Sequence, residues 1–353
     1  MNFLKLRTNL VAFIAGVLLT IVSLEILLQI LPTKTIHKFA ANDINQPVLR
    51  AKATSLVEPI DWKFNHTVHR RINNYGFVDD SDYLPKAQPI AVIGDSYIQS
   101  SMLAYQETLQ GQLGTKFGNQ IPVYSYGIPM YPLSGYLGAA EYATKEFQPR
   151  AFVFLLTKGD ISDSLQPQSG SYFLNRPDGE LKFEKHGISR SDVIYQSALV
   201  GYLLNQIHFD PQKIIKAQFG LSPSKKVELD RHEYQKISER LLDLFAIKTR
   251  VNSRNTVFII DSDRDYIYNN QLPSNRQELL TFKDVATAKG YRVIDTQDLF
   301  TSYYHNTHKK LDFLPTDFHW NAKAHQLIAD RVYPILAEML TRNTSHITPQ
   351  AAP

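Results

Sequence analysis

The six residues Ala151-Phe152-Val153-Phe154-Leu155-Leu156 are apolar without a break. A strand with one wet face alternates apolar and polar side chains, because successive side chains point to opposite faces. A run with no alternation is covered on both faces, which is the mark of a parallel sheet whose strands are joined by helices. The rest of the chain repeats that pattern. Ile90 to Ile93 reads as a buried strand stopped by Gly94, and Val123 to Tyr126 as a second, stopped by Gly127. Helical stretches run from about Gln106 to Phe117 and from Ser134 to Phe147, the latter with Tyr136, Leu137, Ala140 and Ala143 at helical spacing. Further on come a helix over Glu233 to Val251, a strand over Thr256 to Ile260, a helix over Asn275 to Lys289, a strand over Tyr291 to Ile294, and a long helix over Asn321 to Leu340. This alternation predicts an α/β fold with a parallel sheet and helices on both faces.

The N-terminus obeys a different rule. Thr8 to Leu24 carry no charge, and apolar character resumes through Ile26, Leu27, Leu28, Ile30 and Leu31 before Pro32. That matches the ~20 residues needed to cross a bilayer. Lys5 and Arg7 precede the stretch, so the N-terminus stays cytoplasmic and everything after Pro32 lies outside. A cleaved signal peptide would have a shorter apolar region ending in a small-x-small site, and Ala40-Ala41 after Lys38-Phe39 match this poorly. The expected organisation is a cytoplasmic N-terminus and transmembrane anchor over 1–32, a stalk and lead-in segment over 33–86, a main domain over 87–342, and a tail over 343–353. Within the main domain the alternation breaks between about 164 and 228. There Gln166-Pro167-Gln168-Ser169-Gly170 is loop-like, Pro177-Asp178-Gly179 is a turn, and Val193 to Ile207 reads as a helix. This region is expected to be an insertion, either a lid or a partner surface.

Composition excludes several chemistries. The chain has no cysteine, which removes disulfides, thiolate nucleophiles and cysteine-based metal centres. The net charge is +4 and the basic residues are scattered, as in Arg70-Arg71 and Lys225-Lys226, so no nucleic-acid partner is expected. His305 and His308 flank Asn306 without a matched carboxylate and read as a surface loop, not a metal site. No cofactor and no metal is expected.

The chemistry-bearing residues form two segments, Ile93-Gly94-Asp95-Ser96 and Asp317-Phe318-His319-Trp320-Asn321. A serine hydroxyl becomes a nucleophile when a neutral imidazole takes its proton and a carboxylate holds the other ring nitrogen. Residues two apart on an extended segment point the same way, so Asp317 can orient His319 while the ring faces Ser96. Ser96 falls at the C-terminal end of a strand, the sheet edge where ligands bind in open parallel sheets. Asp95 and Ser96 are also ordinary helix-capping residues. Asp95 and Asp160, both at strand ends, are expected to support the site loops by accepting backbone N–H groups. His325 reads as a residue on the face of the last helix. Tyr97, Tyr126, Tyr131 and Tyr136 cluster around the site loops, where they serve either packing or stacking on sugar rings.

These residues resemble the SGNH (GDSL) hydrolase family, particularly its membrane-anchored bacterial members, which are related to polysaccharide O-acetyl esterases and transferases. The likeness is carried by Ile93-Gly94-Asp95-Ser96, by Tyr126-Gly127-Ile128-Pro129, by Asp317 through His325, and by the upstream Arg71-Ile72-Asn73-Asn74-Tyr75-Gly76-Phe77. It implies a three-layer, flavodoxin-like fold and acyl-ester chemistry without a cofactor. Ser96 would be the nucleophile, His319 the base and Asp317 its orienter, with the backbone N–H groups of Ser96 and Gly127 in the oxyanion hole. One block departs. The family places an asparagine donor after the third strand, where this chain has Thr157-Lys158-Gly159-Asp160.

The expected function is hydrolysis of an acyl ester, or transfer of an acyl group such as acetyl, on a cell-envelope polysaccharide or related ester. The domain would sit on the periplasmic side of a bacterial inner membrane, held by a single span and in reach of envelope polysaccharide machinery. The missing asparagine keeps open a non-catalytic carbohydrate- or acyl-binding assembly protein, and the anchor keeps open a lipid-directed esterase.

Overall fold

The apolar runs become neighbouring strands of one sheet because each needs cover on both faces, which helices on either side provide. In the computed structural model these strands are β1 (Ile90–Gly94), β2 (Val123–Gly127), β3 (Ala151–Leu156), β4 (Thr256–Ile260) and β5 (Arg292–Asp295). All neighbours are parallel, and the spatial order is β2-β1-β3-β4-β5. Ile90 lies opposite both Val123 and Ala151, and Phe152 lies opposite Thr256. This is the flavodoxin-like order, in which the chain reverses direction beside β1 and leaves a crevice at the C-terminal ends of β1 and β3.

The structure describes residues 3–31, 55–59, 67–167, 171–175, 180–187, 197–207, 209, 229–269, 276–314 and 317–345. Most of the expected stalk, the turn at 177–179, residues 193–196 of the expected helix in the insertion, and the tail beyond 345 lie outside these residues.

The pleat splits the core in two. Ala91, Ile93, Tyr126, Phe152, Phe154 and Leu156 face one layer, packed with α3 (Leu133–Phe147), α4 (Arg231–Lys248) and α5 (Gln277–Ala288). Ile90, Val92, Val153, Leu155, Val257 and Ile259 face the other. There they meet α2 (Leu109–Lys116), α6 (Gln297–Thr307) and α7 (Ala322–Ser345), which follow the short helix α1 (Ser96–Gln99). Ala324, Ile328, Val332 and Leu336 of α7 are fully buried at helical spacing.

Helix α6 was not expected. Its only fully buried residue is Phe300, with Leu299, Tyr303 and Tyr304 packed beside it half-exposed, so its apolar face is narrow. His305 lies in its last turn and His308 caps it in the left-handed conformation, so this stretch is a helix end and not a loop. Antiparallel pairs also form, Tyr172–Asn175 with Lys182–Lys185, and Asp312–Leu314 with Asp317–Trp320.

The chain divides into two compact units. Residues 1–38, 55–69 and 189–226 form one, and the remaining residues, with the whole parallel sheet, form the other. The first contains the N-terminal helix Phe3–Ile30, whose stretch Arg7–Ile30 is 24 residues long and apolar enough to cross a membrane.

Candidate active site

Strand β1 ends at Gly94 because the chain must turn there at once. A Cβ on Gly94 would lie 2.5 Å from Ile98 Cγ1. Asp95 caps α1 by accepting the Tyr97 N–H at 2.8 Å, which places Ser96 at the first helical position. Helix α1 rests directly on the end of β2, and a Cβ on Gly127 would lie 2.2 Å from the Gln99 nitrogen. Only glycine permits that approach, and it brings the Gly127 backbone beside the turn that carries Ser96.

Residues 317–320 form a strand, and Asp317 and His319 share one of its faces. His319 Nε2 lies 2.8 Å from Ser96 Oγ, and His319 Nδ1 lies 2.5 Å from Asp317 Oδ1. The same carboxylate oxygen accepts the backbone N–H of His319 at 3.0 Å. An ionised carboxylate only accepts, so the ring proton sits on Nδ1 and the Nε2 lone pair faces the serine hydroxyl. The side chains of His319 and Asp317 are 28% and 30% exposed, so the site opens to solvent.

Asp95 and Asp160 meet at Thr157. The Thr157 hydroxyl donates to Asp95 Oδ2 at 3.1 Å, and the Thr157 N–H and Tyr136 hydroxyl donate to Asp160 Oδ2 at 2.7 and 2.9 Å. Burial raises the affinity of both carboxyls for a proton, and the nearby Asp95 charge holds Asp160 well above the usual carboxylate range.

Gly159 lies in the block where the resemblance expects an asparagine, and it stands at φ +107°, a conformation closed to ordinary side chains. The loop folds around the Glu278 carboxylate from α5, which accepts the N–H groups of Gly159, Ile161 and Ser162 at 3.1, 2.7 and 2.9 Å. Lys158 is exposed, and its ammonium makes no hydrogen bond or ion pair among the described residues.

A buried network that the sequence did not reveal fixes the strand bearing His319. Arg264 is gripped by Asp261 through two bonds of 2.7 and 2.8 Å and by Asp312 at 2.6 Å. Its other end donates to the Tyr97 hydroxyl at 2.8 Å and to the Phe318 carbonyl. Tyr97 also donates to the Phe318 carbonyl at 2.8 Å, and Trp320 Nε1 donates to Asp261 at 2.9 Å. The residue next to Ser96 is thereby tied to the peptide between Asp317 and His319. The two acid partners keep the guanidinium charged beyond its ordinary range despite burial.

His325 is fully buried, not on an open helix face. Its Nδ1 accepts the Leu109 N–H at 3.1 Å, so Nε2 carries the proton and donates to Ser100 Oγ at 3.0 Å. Burial pushes its pKa down to about 3, so it stays neutral. Arg70, from the lead-in segment, donates to the carbonyls of Ser100 and Leu103, both at 3.0 Å. Tyr126, Tyr131 and Tyr136 are buried in the core and do not present ring faces to a ligand. Tyr97 stands with its ring centroid 4.8 Å from that of His319.

Three solved structures show what the chain is similar to. A member of the lipolytic protein G-D-S-L family from Veillonella parvula matches with a TM-score of 0.35 and 13% identity, over 70% of this chain and 98% of that one. An alpha/beta hydrolase enzyme from the metagenome of Lake Arreo, Spain, gives 0.39 and 13%, over 73% and 98%. A carbohydrate acetylesterase family member from Sinorhizobium meliloti gives 0.34 and 11%, over 72% and 99%. No family model and no curated protein sequence matches the chain.

Proposed function

We propose that the protein is a serine-dependent acyl-ester hydrolase or O-acyl transferase, acting on an acylated cell-envelope polysaccharide or related ester outside the cytoplasmic membrane. The observation that carries this reading is the unbroken relay from Ser96 Oγ through His319 to Asp317, with spacings of 2.8 and 2.5 Å. Ser96 Oγ attacks the ester carbonyl as its proton passes to His319 Nε2. Asp317 holds Nδ1–H and stabilises the imidazolium that forms. The carbonyl electrons move onto oxygen, which the backbone N–H groups of Ser96 and Gly127 receive. Collapse expels the alcohol, which takes the proton from His319, and leaves an acyl group on Ser96. His319 then deprotonates water, giving hydrolysis, or a sugar hydroxyl, giving transfer.

Two features support a polysaccharide. The N-terminal helix is long and apolar enough for a span, and as a retained anchor it would hold the site at the envelope surface. A cleft of about 670 Å³ at the ends of β4 and β5 is lined by Asp263, Tyr266, Arg276, Leu280, Lys283 and Gln297. It adjoins the Arg264 network, because Arg276 donates to the Asp261 carbonyl at 2.7 Å. Planar polar side chains with an exposed ring suit a sugar chain extending from the reacting ester.

Gly159 favours a second reading, a protein that binds an acylated glycan without turnover, because loss of one oxyanion donor typically costs about 10²–10³ in rate. A fluorophosphonate probe separates the two. Ser96-dependent labelling, absent in Ser96→Ala, supports the enzyme, and an unlabelled folded wild type sinks it. Preference for long-chain esters over acetylated sugars would replace the polysaccharide with a lipid substrate.

A further inference from the structure

Glu25 is the one acidic residue within the apolar N-terminal helix. It stands five residues before Ile30, about 8 Å from that end at 1.5 Å per residue. A carboxylate at such a depth needs partners, because the bilayer supplies none. The partners come from the insertion. Glu25 accepts the Ser197 hydroxyl at 2.7 Å and the N–H groups of Ala198 and Leu199 at 2.9 and 3.0 Å, while Gln29 donates to it at 2.9 Å. Ser197 Oγ in turn accepts the Val200 N–H at 3.2 Å.

The first N–H groups of a helix normally need water. Here a side chain of the N-terminal helix and Ser197 take all three of them. The helix that follows, Ala198–Gly201 continuing as a π-turn through Gln206, has the N–H groups of its first turn held by side-chain acceptors. The rest is apolar. No Asp, Glu, Lys or Arg occurs from Val193 to Phe209. Leu199, Val200, Leu203 and Leu204 are half-exposed, and Ile207 and Phe209 are 46% and 44% exposed. Downstream the sequence turns basic, with Lys213, Lys216, Lys225 and Lys226 against Asp210 alone. An uncharged segment too short to cross, fixed at membrane depth and followed by lysines, has the make-up of an element that lies in the lipid–water boundary.

We propose that Ser197–Phe209 is a second membrane-contacting element, seated in the outer face of the bilayer beside the anchor and fastened there by Glu25. Its partner is phospholipid. The insertion is thus a membrane foot and not a lid. The proposal rests on the reading of the N-terminal helix as a retained span.

The test uses the full chain, one copy per nanodisc of phosphatidylcholine and phosphatidylglycerol. The native chain has no cysteine, so Ile207→Cys and Phe209→Cys each carry a single environment-sensitive fluorophore, with Leu84→Cys, on an exposed site of the sheet unit, as reference. Labels at 207 and 209 are expected to lose most of their quenching by aqueous iodide and to be quenched by spin-labelled lipid. Glu25→Ala is expected to restore iodide access at both, and Glu25→Gln, which keeps an acceptor oxygen, to restore less. Iodide quenching at 207 and 209 equal to that at 84, in disc-bound protein, overturns the foot while leaving the anchor intact. Failure of the chain to enter discs overturns both. Labels that stay lipid-shielded in Glu25→Ala overturn the fastening role.

Discussion

Arg264 offers the most demanding test of how the site is held. Its side chain is 7% exposed and those of Asp261 and Asp312 are 9% exposed, so replacing it with methionine strands two buried carboxylates. Breaking a buried pair from one side typically costs about 3–5 kcal/mol. For a domain of this size that corresponds to a fall of roughly 6–20 °C in melting temperature. The catalytic cost has a separate origin. Without the guanidinium the Phe318 carbonyl keeps only the Tyr97 hydroxyl as a side-chain donor among the described residues, and the peptide carrying Asp317 and His319 is free to shift. A displacement near 1 Å costs on the order of 10² in turnover. The assay is hydrolysis of 4-nitrophenyl acetate beside a thermal melt, on Arg264→Met and on Arg264→Met combined with Asp261→Asn and Asp312→Asn. The combined variant is expected to recover most of the lost stability, since the stranded charges are gone, while turnover stays low. Wild-type turnover in a folded Arg264→Met protein would refute the reasoning, as would rescue of turnover together with stability.

Three further outcomes are expected. His319→Ala and Asp317→Asn should each lower kcat by about 10³–10⁴ with the melting temperature nearly unchanged, measured on the same ester. Gly159→Asn, which puts an asparagine into this block, should lower stability by about 1–2 kcal/mol and leave the rate no higher, because a side chain is strained at φ +107°; a faster variant would refute this. Asp79 is fully buried, and burial raises its pKa to about 6. Its folded value lies above its unfolded one, so the native state holds the extra proton, and stability should fall as pH rises from about 4 to 6 by up to ~3 kcal/mol. Melting of wild type and Asp79→Asn across that range should show a shallower slope in the variant, since buried Asp95 and Asp160 contribute to both.

Much of this was legible in the chain. Ile90 to Ile93 stopped by Gly94 located the turn that carries Ser96, because a buried strand and its terminator are local signals. Asp317 and His319, two apart on an extended segment, share a face by backbone geometry alone. Arg264 left no such trace, since its partners Asp312, Phe318 and Tyr97 lie 48, 54 and 167 residues away. Periodicity reports where apolar side chains point and says nothing about which distant carboxylate a cation meets. The one available hint was Asp261-Ser262-Asp263-Arg264, a charged run at the C-terminal end of an apolar strand. Glu278 and His325 were hidden for the same reason. Each sits on a helix where a polar residue looks solvated, and each is buried by a loop that arrives from far along the chain.

The five strands of the sheet are complete by Asp295, yet the imidazole arrives only with residue 319, and the layer formed by α7 arrives later still. A chain emerging N-terminus first therefore carries its serine, idle, through nearly the whole of its synthesis. The segment that brings the imidazole is continuous with the helix that seals the second core. Under the proposed function, ester cleavage would double as a report that the last part of the polypeptide has folded home.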